Sequence, residues 1–72
     1  MQWNLYKLRK EKGETQKQLA NLIGVSEESY RLKENGSNQF KSNEMFIIAQ
    51  HFEKTMDEIF LPTKYTKSKQ LA

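Results

Sequence analysis

The stretch Thr15-Gln16-Lys17-Gln18-Leu19-Ala20-Asn21-Leu22-Ile23-Gly24-Val25-Ser26-Glu27-Glu28-Ser29-Tyr30-Arg31-Leu32-Lys33-Glu34-Asn35-Gly36 decides the fold. It opens on a capping box: the Thr15 side chain can accept from the backbone of the first helical turn while Gln18, three residues on, reaches back. Leu19, Ala20 and Ile23 then recur at helical spacing and line one face. Gly24 ends that helix, because glycine accepts the left-handed backbone that follows a helix. Ser26 is a second N-cap almost at once, and Glu27 and Glu28 fall in the next first turn, where the helix dipole favours negative charge. That helix runs to about Asn35 and is closed by Gly36. Two helices joined by so few residues must cross steeply, near 90–120°, which leaves the second standing proud of the domain.

Working outward, Leu5 and Leu8, with Trp3 or Tyr6 beside them, give a short amphipathic helix over about 4–12, stopped by Gly13. On the other side, 37–41 reads as a loop. Met45, Ile48, Ala49 and Phe52 recur at i, i+3, i+4, i+7, which predicts a helix over 42–52. Thr55-Met56-Asp57-Glu58 is another capping box and opens a last short helix over 56–60, before Pro62. With the central pair at 16–23 and 27–35 this makes five helices. No stretch alternates with period two, so the chain reads as all-α. Residues 1–61 form the domain, and 62–72 form a basic tail expected to be flexible.

Composition bounds the rest. Seventy-two residues make one domain at most. Cysteine is absent, which removes disulfides and thiolate metal sites. No apolar run approaches the roughly 18 residues of a membrane span, and no apolar N-terminal stretch suggests a signal peptide, so a cytoplasmic protein that uses no membrane is expected. The net charge of +3 is a weak pointer to nucleic acid, because Lys64, Lys67 and Lys69 in the tail account for it and residues 1–61 balance to zero. Within the domain Lys7, Arg9, Lys10 and Lys12 form one basic cluster. One histidine, His51, sits between core positions with nothing in the sequence to complete a site. The single aspartate, Asp57, is explained by its capping box. No nucleophile–base pair or glycine-rich phosphate loop stands out, so neither an enzyme, a metal nor a cofactor is expected.

A proud helix suits the DNA major groove, which is about 12 Å wide and admits one helix. The preceding helix would then lie across the backbone with its N-terminus, at Thr15 and Gln16, offering N–H groups to a phosphate. Five fragments in order carry a resemblance: Leu8-Arg9-Lys10-Glu11-Lys12-Gly13, Thr15-Gln16-Lys17-Gln18-Leu19-Ala20, Ile23-Gly24-Val25-Ser26, Glu34-Asn35-Gly36 and Asp57-Glu58-Ile59-Phe60. Over about residues 4–61 the chain resembles the phage-repressor and Cro type of helix-turn-helix protein. The resemblance implies a five-helix, lambda-repressor-like domain and a regulator of transcription that binds a double-stranded DNA operator. It implies that Gln16, with Lys17 beside it, meets phosphate. It places Glu27, Glu28, Arg31 and Leu32 on the base-facing side of the recognition helix, and Asn35, Asn38 and Lys41 where the following loop approaches the backbone. Arg9 and Glu34 match a structural pair tying the first helix to the end of the third.

Several positions depart from that pattern or carry their own expectation. Lys33 stands where an apolar residue is usual, and its stem is expected to lie over the core with the ammonium in solvent. Tyr30 is expected to be buried. A homodimer is expected through Met56, Ile59, Phe60 and Leu61, since so short a helix cannot bury them all. The balanced charge, the two acids opening the recognition helix, and Leu22, Leu32 and Ile47 as surface apolar residues leave an alternative: a protein-interaction module, anti-repressor or antitoxin-like, that keeps the fold with weak DNA binding.

Overall fold

The computed structural model describes residues 1–60. They form five helices, α1 (Trp3–Glu11), α2 (Gln16–Ile23), α3 (Glu27–Glu34), α4 (Ser42–Phe52) and α5 (Met56–Ile59), with no strand among the described residues. The all-α expectation and each helix position hold to within one residue at either end. Leu61 and the tail fall outside the described residues. None of these helices is long and apolar enough to cross a membrane.

The caps behave as their residue types require. Thr15 and Thr55 each accept from the backbone N–H three residues on, at 3.1 Å, and Gln18 and Glu58 return the bond at 2.7 Å. Ser26 accepts from the Ser29 N–H at 3.1 Å. Between α2 and α3 the chain turns on three residues. Gly24 is left-handed, φ 76°, its N–H bonds to the Asn21 carbonyl, and the Val25 N–H reaches back to Ala20 at 3.0 Å. This is a Schellman turn, and half-buried Val25 packs against the core as such turns favour. The same turn ends α4, where the left-handed residue is Glu53, φ 58°.

The apolar core is Leu5, Leu19, Ala20, Tyr30, Phe40, Ile48, Ala49, Phe52 and Ile59. α2 packs on α3 and α4, and α5 closes the bundle against α4 and α1. Phe40 belongs to the segment read from sequence only as a loop, yet its ring is buried edge-on between Tyr30 (centroids 5.9 Å apart) and Phe60 (5.2 Å). A lone aromatic in a polar loop has no periodicity to announce it.

Three expectations are corrected here. Ile59 is fully buried and Phe60 packs half-buried on the core, so neither is a free dimer contact. The short helix seats both because Phe40 and the α1 and α4 faces make room for them. Lys33 does not send its ammonium to solvent; the residue is buried, with its Nζ 3.0 Å from Glu44. Leu32 and Ile47 are only half-exposed, whereas Phe46 (53% exposed), Met56 (39%) and Leu22 (37%) are the apolar side chains that α2, α4 and α5 leave open.

Candidate nucleic-acid interface

The centre of the site is a carboxylate. Glu34, at the end of α3 and almost wholly buried, accepts from Arg9 Nε at 2.9 Å and Nη2 at 3.1 Å, from Gln16 Nε2 at 3.0 Å and from the Tyr30 hydroxyl at 2.9 Å. Four donors on two oxygens saturate a carboxylate. Arg9 adds a bond from Nη1 to the Glu14 carbonyl at 3.0 Å. The expected Arg9–Glu34 pair is therefore present, bidentate and buried, and it holds α1, the α1–α2 turn, the start of α2 and the end of α3 at one point. Burial by itself would raise the Glu34 carboxyl, but the hydrogen bonds of Arg9, Gln16 and Tyr30 together with the Arg9 charge outweigh it and hold it below its ordinary value. Burial, then the facing carboxylate, pushes the Tyr30 phenol well up, so it stays a donor.

Gln16 was expected to meet phosphate. It is half-buried at the first position of α2, with its amide nitrogen committed to Glu34. Lys17 beside it is exposed. An open notch beside them is lined by Lys10, Gly13, Thr15, Gln16 and Glu27. With Arg9 and Glu14 also on its wall, it brings two cations of the α1 cluster, buried Arg9 and exposed Lys10, next to the N-terminus of α2. His51 reaches the same corner: its Nε2 lies 2.9 Å from both Glu14 oxygens and ties α4 to the α1–α2 turn. No local pattern announces this contact, because its partners lie 37 positions apart in the chain.

On α3, Glu27, Glu28 and Arg31 are exposed and Leu32 half-exposed, so the predicted base-facing residues share the open side of the helix. Glu28 and Arg31 pair across one turn at 3.5 Å, a surface contact of little stability value that nevertheless halves the uncompensated acidity of this face. Asn35, Asn38 and Lys41 are exposed on the following loop. The Asn35 side chain accepts from the Ser37 N–H at 2.8 Å, and the Ser37 and Asn38 N–H groups both bond to the Leu32 carbonyl. Lys33 and Glu44 are the residues of this region whose placement sequence reasoning missed.

These features, a three-residue turn, a helix with an open polar side and a helix N-terminus beside a cation, define a helix-turn-helix protein. The helix-turn-helix family model matches residues 5–59, and the chain belongs to that family. No curated protein matches the chain closely enough to serve as a relative. Among solved structures it is similar to a transcriptional regulator from Listeria innocua, at 22% identity with a TM-score of 0.75, covering 94% of this chain and 68% of the other. At that identity the likeness is one of fold.

Proposed function

We propose that the chain is a sequence-specific regulator of transcription of the repressor or Cro kind, acting in the cytoplasm by occupying a double-stranded DNA operator. The observation that carries the reading is the saturated Glu34 network. It fixes α3 to α1 and α2 from the inside, while Glu27, Glu28, Arg31 and Leu32 keep no commitment to the core. A recognition helix must be rigidly held and open on its outer side, and this one is both. Gln16, Lys17, Asn35, Asn38 and Lys41 border it and supply the phosphate contacts that set position without reading sequence. Arg31 reads guanine through its fork, and Glu28, beside it, accepts from cytosine N4 or steadies Arg31.

One such helix covers too little groove for high specificity, so the protein is proposed to bind as a homodimer with half-sites about 34 Å apart. Met56, with Phe46 across a shallow groove, takes the place of buried Ile59 and half-buried Phe60 as the contact. The same apolar groove favours the second reading, an interaction module with weak DNA affinity.

Selection of sites from random duplex DNA, followed by a salt titration, separates the two. A regulator enriches one motif and weakens with salt at a log–log slope of roughly −0.9 per phosphate met. No enrichment and no salt dependence sink the DNA reading. Glu28→Gln should raise affinity for random DNA and shift one base pair from cytosine toward adenine by about 1–3 kcal/mol, whereas Gln16→Ala should weaken all sequences alike. A uniform gain with Glu28→Gln leaves Glu28 as a helix-dipole residue.

A further inference from the structure

Among the described residues, Lys33 is the one buried cation outside the Glu34 network. Its ammonium lies 3.0 Å from Glu44 Oε1 and 3.3 Å from the Gln39 carbonyl, over the Phe40 ring at 5.9 Å. The same Glu44 oxygen accepts the Lys41 N–H at 2.9 Å. Residues 39, 40 and 41 are thus gathered around one buried ion pair that links the last turn of α3 to the first turn of α4. The front of the loop needs no such help, because Ser37 and Asn38 are already tied to the Leu32 carbonyl by backbone bonds.

An apolar side chain would fill the Lys33 position at no desolvation cost, whereas burying an ammonium and a carboxylate costs several kcal/mol per ion before their attraction returns it. Stability alone therefore does not account for the pair; geometry does. We propose that Lys33 and Glu44 are positioning residues for DNA binding, a clamp that sets the rear half of the 36–41 loop so that exposed Lys41 meets the phosphate backbone. The inference rests on the DNA-binding reading above and extends it to two residues that touch no DNA themselves.

The test is the double variant Lys33→Met/Glu44→Gln, which removes both buried charges, keeps the volumes and leaves an acceptor for the Lys41 N–H. Replacing a buried pair outright is often neutral for stability, so melting temperature should stay near that of the parent. The amides of Gln39, Phe40 and Lys41 should exchange faster while those of α2 and α3 do not. DNA affinity should fall several-fold for all sequences, with the salt slope reduced by about 0.9 and base preference unchanged. In the parent, Lys41→Ala should produce the same slope change; in the double variant it should add nothing. If the double variant does not fold, Lys33→Leu/Glu44→Gln, which likewise leaves neither charge buried without its partner, takes its place. A parental slope, or a Lys41→Ala effect that persists undiminished, overturns the clamp. A parent that binds no duplex overturns the DNA reading first, and shows it in the parent titration alone.

Discussion

Replacing Glu34 by glutamine changes one atom type and should remove a large share of the domain's stability. The carboxylate now receives four donors, and the Arg9 and Glu34 side chains are only 7% and 1% exposed. An amide in its place turns one acceptor oxygen into an NH2 facing N–H or O–H groups, and it leaves the Arg9 charge buried without a counter-ion. Breaking one side of a buried pair costs about 3–5 kcal/mol. Arg9 keeps its bond to the Glu14 carbonyl, so the lower end, about 3 kcal/mol, is expected. At roughly 0.05–0.15 kcal/mol per residue, a chain this short has about 4–11 kcal/mol to lose. In domains of this size each kcal/mol moves the melting point by about 4–8 °C, which puts the fall above about 12 °C. Thermal unfolding followed by helix dichroism at neutral pH reads it directly. The companion Arg9→Met/Glu34→Leu removes both charges and should recover much of the loss, giving a large coupling in the double-mutant cycle. A Glu34→Gln melting point within about 4 °C of the parent, with no coupling to Arg9, would refute the claim that this network holds α3.

Three further outcomes follow from the same geometry. Glu34 and Glu44 both sit below the ordinary carboxylate value of 4.5, so their contribution is complete above that pH and lost as pH falls through the folded values, while Tyr30, raised above 10.0, contributes fully below pH 10 and progressively less as pH climbs from there toward its folded value. The melting point should be flat between and drop on both sides; no drop by pH 3 would contradict the acid limb. Gly24→Ala meets no atom within 4 Å but must adopt φ 76°, so backbone strain alone should cost about 1–2 kcal/mol in urea unfolding, and an unchanged midpoint would mean the turn had relaxed. Phe46→Ser, at a position 53% exposed, should leave the melting point within a few degrees but weaken self-association in sedimentation; unaltered association would move the dimer contact elsewhere.

Local signals carried most of the fold. Caps at Thr15, Ser26 and Thr55 and turns at Gly13 and Gly24 are short-range chemistry, and together with the i, i+3, i+4, i+7 spacing of Met45, Ile48, Ala49 and Phe52 they placed the helices to within a residue. The Arg9–Glu34 pair was legible only because the motif around it was; nothing in the spacing of 25 residues implies contact. What stayed hidden was long-range and polar. Phe40 and Lys33 sit in polar surroundings in the sequence and are buried only by long-range neighbours, Phe40 between Tyr30 and Phe60 and Lys33 against Glu44, and Glu44 looks like one more solvent-facing acid of α4's first turn until Lys33 is seen beside it. Ile59 and Phe60 looked surplus on a four-residue helix, since the helix alone cannot cover them and its neighbours' contribution is a tertiary fact.

The buried charges also bear on how such a regulator would bind. Arg9 and Lys33 are interior with Glu34 and Glu44, two cations against two anions, so the interior is neutral and the balance of residues 1–61 leaves the remaining surface neutral as well. Within residues 1–60, general attraction to DNA, which scales with phosphates neutralised by Lys and Arg, must then come from the arrangement of Lys10, Lys17 and Lys41 around α2 and the loop, and Glu27 and Glu28 oppose it within a Debye length of about 8 Å. Weak binding to random sequence raises the ratio of specific to non-specific affinity, the quantity that matters among many competing sites. On this reading the acids that open α3 are a means of discrimination: they repel every phosphate backbone alike, and only a site whose bases satisfy Glu28 and Arg31 offsets the repulsion.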